Sequence, residues 1–257
     1  MINHLYIIFK FFKMKIVAII EARMSSSRLP GKVLLKANNI TMLDHLIDRL
    51  NQVKKIDEII IATTLKNCDD LIVDFSKRKE VKFFRGSEED VMSRVIGAAK
   101  FCSADLIVEI TGDCPIIDPN IIEQIINIYL ANNVDYVSNA TIRSYPDGMD
   151  TQVFSLDILE KSYKMTNDFL DREHVTLHIR NNPDIFSSIN VIAPPEIYNP
   201  DLGLTLDEEE DYLFIKNIIE NLYDKNKFFT CLDIINYLKR NKSLLLINNH
   251  IKRKGNN

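Results

Sequence analysis

Glu21-Ala22-Arg23-Met24-Ser25-Ser26-Ser27-Arg28-Leu29-Pro30-Gly31-Lys32 follows directly on the run Lys15-Ile16-Val17-Ala18-Ile19-Ile20. That run is apolar without a break after Lys15, the pattern of a strand buried on both faces of a parallel sheet. A strand with one wet face would alternate. The loop therefore leaves the carboxyl end of a central strand, the edge at which open α/β sheets bind ligands. It carries Arg23, Arg28 and Lys32, three serine hydroxyls and a Pro-Gly turn. Arginine offers a planar fork to phosphate oxygens, lysine a compact point charge, and the N–H groups of a tight turn complete an anion cradle. A solvated basic surface loop is the simpler alternative for such a composition. Its position after a first strand favours the phosphate reading.

Outward from this loop, helix and strand patterns alternate. Thr41 opens an amphipathic stretch to Leu50, with apolar residues spaced three and four apart behind a threonine cap. Glu58 to Thr63 is a short β-branched run, and Asn67-Cys68-Asp69-Asp70 caps a helix to about Lys77. A strand at Val81 to Phe84, a helix from about Ser87 to Phe101 and a strand at Asp105 to Thr111 repeat the alternation. Units of this length read as βαβ crossovers on a parallel sheet. Arg85-Gly86-Ser87-Glu88-Glu89-Asp90 joins strand to helix as a serine cap with an acidic first turn, and Asp90 and Arg94, one turn apart, fit an exposed ion pair.

Ile110-Thr111-Gly112-Asp113-Cys114-Pro115 is the second stretch with chemistry in it. A carboxylate on a Gly-Asp turn at a central strand end suits Mg²⁺ held against phosphate oxygens, although Asp113 could equally be a turn residue. Asp118-Pro119 then starts a helix to about Asn132, and Tyr136 to Ser138 reads as a strand. From Arg143 to Phe154 turn residues dominate. The segment, with Asp150 and Gln152 in it, reads as an excursion from the sheet that could wall a second pocket, where an acceptor site is expected. A helix from Phe169 to Arg180 would put His174 and His178 one turn apart, either as metal ligands or on a solvated face, the latter favoured without a zincin-type glutamate. A strand near Phe186 to Ile192 is followed by Leu204-Thr205-Leu206-Asp207, read as a strand end, and by helices at Glu208 to Leu222 and Cys231 to Arg240.

Composition sets limits. With 257 residues, 46% of them hydrophobic, the chain can bury one large core. A net charge of -4 and a pI near 5.8 argue against a general nucleic-acid binder, so any phosphate ligand must be held locally. Leu5-Tyr6-Ile7-Ile8-Phe9 is too short to span a bilayer and lacks a cleavage pattern, which argues against a membrane anchor or signal peptide. Cys68, Cys102, Cys114 and Cys231 are scattered, suggesting neither a zinc site nor a disulfide framework but reduced thiols in the cytoplasm. Residues 1–13 read as an extension, with Met14 a place where the functional chain could start, 14–240 as the working domain, and 241–257 as a polar tail expected to fray.

Ala22 to Lys32, together with Arg85-Gly86-Ser87, Thr111-Gly112-Asp113-Cys114-Pro115 and Asp207, resembles the cytidylyltransferases that make CMP-activated acidic sugars. Within them the chain is most similar to the branch labelled spore coat polysaccharide biosynthesis protein F. That branch shares a Pro-Asp-Gly-x-Asp loop, here Pro146 to Asp150, an Arg-Glu-His-Val-Thr helix, here Arg172 to Thr176, and a Thr-x-Asp-x-x-Glu-Asp segment, here Thr205 to Asp211. The resemblance runs from Met14 to about Leu238. It implies an α/β Rossmann-like nucleotidyltransferase fold, a mainly parallel central sheet with helices on both faces. It also implies Mg²⁺, CTP, a 2-keto sugar acid such as a nonulosonate or 3-deoxy-octulosonate, a homodimer, and a role in surface polysaccharide or glycan biosynthesis. Carried over residue by residue, Arg23 and Lys32 would grip the triphosphate and act with Asp113 in catalysis, and Ala22, Ser27 and Arg28 would support it. Arg85, Gly86 and Ser87 would lie near the base, Asp113 and Asp207 would hold the metal, and Asp150, Gln152, Glu173 and His174 would meet the sugar. The branch often carries Glu where Gln152 stands, a departure that bears on which sugar is taken. Two rivals stand beside this reading: a glycosyltransferase of similar sheet architecture that consumes a nucleotide sugar, and a non-catalytic nucleotide-binding subunit of a sugar pathway.

Overall fold

A computed structural model describes residues 13–251; the apolar run of the first residues and the last six positions lie outside the described residues. The opening run forms β1 (Ile16–Glu21), and its alternate side chains go to opposite faces of the sheet. Ile16, Ala18 and Ile20 enter one core and Val17 and Ile19 the other, which is why no polar residue interrupts the run. A small hairpin follows, β2 (Lys36–Ala37) and β3 (Ile40–Thr41), and then α1 (Met42–Leu50), capped by Thr41 Oγ1 accepting from the Asp44 N–H at 3.2 Å. The predicted alternation continues as β4 (Glu58–Thr64), α2 (Asp70–Arg78), β5 (Lys82–Gly86), α3 (Val91–Phe101), β6 (Leu106–Thr111), α4 (Pro119–Ala131) and β7 (Tyr136–Ser138).

Beyond β7 the structure departs from the sequence reading. The end of the expected excursion is itself a strand, β8 (Gln152–Ser155), antiparallel to both neighbours and lodged between β6 and β7. Val153 and Phe154 are buried on opposite faces there, a signal too short to stand out among the turn residues before it. The helix α5 (Leu156–Met165), begun by Ser155 accepting from the Ile158 N–H at 3.2 Å, was not anticipated, because it buries only Leu159 and Ser162.

The single helix expected from Phe169 to Arg180 is broken into α6 (Phe169–Glu173) and α7 (Leu177–Asn181). Between them Val175 is buried at a φ of 33°, and the Thr176 hydroxyl donates to Gln152 Oε1 at 2.6 Å. A φ of 33° at Val175 lies outside the right-handed helical region, so the helix cannot run through it, and the Thr176 hydroxyl ties the break to β8. His174 and His178 consequently face different surroundings. The segment 204–207 is not a strand of the sheet: Leu204 N–H donates to the Asp147 carbonyl at 2.7 Å and Leu206 N–H to that of Asp113 at 2.8 Å.

After β9 (Ser188–Asn190) come α8 (Glu209–Leu222) and α9 (Cys231–Arg240). The tail expected to fray instead folds back as far as it is described. Lys242–Leu246 form a 3-10 turn, and buried Asn248 donates to the Gly203 carbonyl at 3.1 Å and to Asp211 Oδ1 at 2.9 Å.

The seven strands run in the order β5-β4-β1-β6-β8-β7-β9, all neighbouring pairs parallel except those of β8. Side chains of α1, α2, α4, α8 and α9 fill one face, and those of α3, α5 and α7 the other. The fold class is thus the one expected: α/β, a mainly parallel sheet covered on both sides. Among the described residues no helix is long and apolar enough to cross a membrane.

Two buried charges pin the late helices to the early ones. Asp118 Oδ1 caps α4 by accepting from the Asn120 N–H at 2.9 Å, and its Oδ2 accepts from the first N–H of α9, on Cys231, at 2.8 Å. Arg49 of α1 donates to the carbonyls of Ile117 at 3.3 Å and Phe229 at 2.9 Å. Asp118→Ala leaves two helix-start N–H groups unmatched and is expected to cost about 2–3 kcal/mol. That corresponds to a melting temperature lower by about 5–10 °C for a chain of this size, measurable by thermal unfolding. An unchanged melting temperature would show that the cap does not hold the two helices together.

Candidate active site

From β1 the chain moves to β4 and β5 on one side, then returns to β6 on the other side of β1. The reversal leaves a crevice at the carboxyl ends of β1 and β6, the switch point at which such sheets take ligands. Both stretches singled out in the sequence open into it. Gly112 lets them approach: its N–H donates to the Glu21 carbonyl at 2.9 Å, and a Cβ at 112 would stand 2.8 Å from that oxygen and 3.2 Å from the Ala22 Cβ. Gly31, at a φ of 73°, turns the first loop into a 3-10 turn, Lys32–Leu34, that sinks Lys32 into the crevice floor. Asp69 holds the base of the same loop. This fully buried carboxylate accepts from the Met24 N–H at 2.7 Å and from the Thr64 N–H at 3.1 Å, joining the loop to the end of β4. The sequence marked Asp69 only as a helix cap.

Charge is concentrated at one end. The Lys32 ammonium lies 3.0 Å from Asp113 Oδ2 and 3.0 Å from Asp207 Oδ1, and Arg28 reaches the same Asp207 oxygen at 2.9 Å. Burial opposes the charge on Lys32, but Asp113 and Asp207 outweigh it and hold its pKa above the ordinary lysine value. For Asp113 burial likewise works against ionisation, and Lys32 and the Thr111 hydroxyl overcome it, keeping the carboxyl below its usual range. Asp207 comes into place because Leu206 is tied to the Asp113 carbonyl, and because the Asp211 carboxylate accepts from the N–H groups of Asp207 at 3.2 Å and Glu208 at 3.0 Å. On the rim, Arg23 meets Glu88 Oε1 at 3.2 Å, where the Ser25 hydroxyl also donates at 2.6 Å.

A cavity of about 280 Å³ unites this cluster with Ala22, Ser27, Glu173 and His174. The exposed His174 sits at the mouth, whereas His178 turns to Asp171 at 3.2 Å. Other residues named from the sequence lie elsewhere. Arg85 spends its guanidinium on the Thr64 carbonyl at 2.8 Å, the Lys66 carbonyl at 2.7 Å and Asp70 at 2.6 Å, and Gly86 and Ser87 do not line the cavity. Arg94 lines it in their place. Read from the sequence as half of an exposed ion pair with Asp90, it is 3% exposed and donates to the Ser87 carbonyl. Asp90 instead caps α3, accepting from the Ser93 N–H at 2.8 Å.

Asp150 and Gln152 are outside the cavity as well. Asp150 pairs with Arg143, both oxygens 3.0 Å from Nη1, and burial, only partly offset by Arg143, pushes its pKa up to about 7. Gln152 Oε1 accepts from the Tyr136 hydroxyl at 2.5 Å and from that of Thr176. Among the described residues no group of three or more His, Cys, Asp or Glu side chains forms a ready metal site.

The family model for cytidylyltransferases matches residues 17–251. The chain is 32% identical over 231 residues to the spore coat polysaccharide biosynthesis protein SpsF of Bacillus subtilis, covering 88% of this chain and 95% of that protein. Among solved structures, a cytidylyltransferase from Leptospira borgpetersenii serovar Hardjo-bovis superposes with a TM-score of 0.86 at 33% identity, over 93% of this chain and all of that one. A CMP:2-keto-3-deoxy-manno-octonic acid synthetase complexed with CTP shares the fold at a TM-score of 0.59 and 17% identity, over 80% of this chain and 99% of that one.

Proposed function

The chain belongs to the cytidylyltransferase family, and on that premise we propose that it transfers CMP from CTP to a 2-keto sugar acid, such as a nonulosonate or 3-deoxy-octulosonate, releasing pyrophosphate. The observation that carries this reading is the convergence of Lys32, Asp113 and Asp207 at the base of an Arg/Ser/Lys loop. In-line attack on the α-phosphate needs developing negative charge to be spread over cations more than it needs a covalent nucleophile. Arg23, Arg28 and Lys32 supply fixed positive charge, and the exposed N–H groups of the loop supply donors. Two carboxylates turned toward one cationic nitrogen are also the hard-oxygen donors that Mg²⁺ takes, so Asp113 and Asp207 would hold it, with further ligands from phosphate and water. When bound, the ion would neutralise charge on the phosphates. Glu173 and His174, which line the same cavity, would meet the acid, while Asp150 and Gln152, outside it, would act on that side only through the elements they support.

A pyrophosphate-release assay crossing CTP, ATP, GTP and UTP with a panel of 2-keto sugar acids tests the reading. Release is expected with CTP and at least one acid, in the presence of Mg²⁺. Consumption of a ready-made nucleotide sugar without pyrophosphate, or no release from any combination, would overturn it.

A further inference from the structure

Two acidic side chains at the cavity wall, Glu109 buried and Glu21 half-buried, have no part in the chemistry described so far. Glu21 ends β1 and Glu109 lies on the adjacent strand β6, both on the face covered by α3 and α7. Glu21 Oε1 and Glu109 Oε2 are closed off from solvent, and no N–H or O–H of another residue reaches either. The two side chains are hydrogen-bonded to each other, which two carboxyl groups can do only by sharing a proton. Glu109 is 4% exposed, whereas Glu21 is partly exposed along the cavity wall. A burial cost of this size on the wall of a ligand site calls for a reason, and packing alone would be served better by apolar residues.

We infer that Glu21 takes the proton from the hydroxyl that attacks the α-phosphate, and that Glu109 is the positioning residue that holds it. The inference rests on the CMP-transfer reading above. Of the carboxyls lining the cavity, Asp113 and Asp207 are committed to Lys32. Glu21 borders both working ends. Arg23 and Asp113 are among its charged neighbours on the phosphate side, and Arg94 of α3, a helix that packs on the α6 segment bearing Glu173 and His174, is its neighbour on the other. In the step, the hydroxyl oxygen bonds to the α-phosphorus and the bond from that phosphorus to pyrophosphate breaks. The hydroxyl proton passes to the Glu21 carboxylate. The neutral carboxyl then returns that proton to water after the products leave.

Protonation supports the assignment of roles. Burial raises Glu21 above its ordinary value, against the lowering effects of the Glu109 hydrogen bond and of Arg94 and Arg23, while Asp113 raises it further. Glu109 is raised well above by burial and by Glu21, with only Arg180 of α7 opposing. The shared proton thus stays on Glu109, and Glu21 is left as an acceptor poised nearer to neutrality than a free carboxylate.

The test is steady-state pyrophosphate release with CTP and the 2-keto acid panel, combined with calorimetric CTP affinity, for the wild type, Glu21→Gln, Glu109→Gln and Glu109→Ala. Glu21→Gln is expected to lower kcat by roughly 10²–10⁴-fold, the range for loss of a general base. Its CTP affinity should stay within about threefold, and the acid limb of the wild-type pH profile should vanish. Glu109→Gln, which can still donate to Glu21, should keep most of the turnover and leave the acid limb near its wild-type position, whereas Glu109→Ala, which removes that donor and its lowering effect, should lose turnover and move the acid limb to higher pH without losing CTP. A wild type that releases no pyrophosphate with any acid overturns the transfer reading and this inference together. An active wild type with Glu21→Gln turning over at a comparable rate, or with an unchanged acid limb in that variant, overturns the inference alone.

Discussion

Lys32→Ala is expected to lower kcat by about 10²–10³-fold, the scale for removing one preorganised charge stabiliser. The effect should be larger than that of Arg23→Ala, because Arg23 is exposed on the rim and Lys32 is 9% exposed at the floor. The substitution does more than delete a cation. It leaves Asp113 and Asp207, each 3.0 Å from the lost ammonium, facing one another without it. Their mutual repulsion should raise the Asp113 pKa, which Lys32 now holds below 3.8. In the wild type this lowered pKa contributes stability above the unfolded value that is lost as pH falls through the folded one. Lys32, raised above 10.5, contributes stability below that value that is lost as pH climbs past its folded pKa. The variant should therefore lose stability in the window between these limits and regain part of it on acidification. Single-turnover kinetics and thermal melts across pH check the two halves. Turnover near the wild-type level would remove this loop from phosphate chemistry.

Asp113→Asn is expected to be at least as severe, with turnover down by about 10³-fold or more and a Mg²⁺ requirement shifted to higher concentration or lost. An asparagine oxygen keeps the shape and gives up the charge, so Lys32 would keep only Asp207 as an anionic partner. Asp207→Asn should be milder, since Glu208 still meets Arg28 at 3.4 Å and Asp113 still meets Lys32. A Mg²⁺ titration of activity for each variant decides the order. An unshifted requirement in Asp113→Asn would reduce that residue to a former of its turn.

The first half of the sheet was legible because its signals are local. Each of β1, β4 and β6 is a short, mostly apolar run ending at a turn, and the helices that follow β1 and β6 carry their own side-chain caps, so neighbours in sequence are neighbours in space. The second half depends on contacts that sequence periodicity does not carry. β8 has four residues, and its place between β6 and β7 is fixed by Val153 and Phe154 entering cores built mostly by other segments. The split between α6 and α7 depends on a hydroxyl from Thr176 meeting Gln152, two residues far apart in the chain. At the site, charge type and loop position marked Arg23, Arg28, Lys32 and Asp113, and the family resemblance added Asp207 to them. Arg94 and Asp69 escaped notice because each was credited with a helix-surface or capping role, and only the folded packing turns them inward. Glu21 and Glu109 were hidden for the opposite reason: inside apolar strands, a carboxyl gives no hint of its partner on the next strand.

The late arrival of β8 also orders events in time. The strands β5, β4, β1 and β6 can pair as soon as the first half of the chain has been synthesised, and with them Arg23, Lys32 and Asp113 come together. Asp207 and the α6 segment come later in the chain than β8, so they must wait for α4, β7 and the turn-rich stretch to be made. A nascent chain on the ribosome would thus carry a cationic half-site able to attract phosphate but missing its second carboxylate and its acceptor wall. Binding would precede competence, and nucleotide would be safe from the unfinished enzyme.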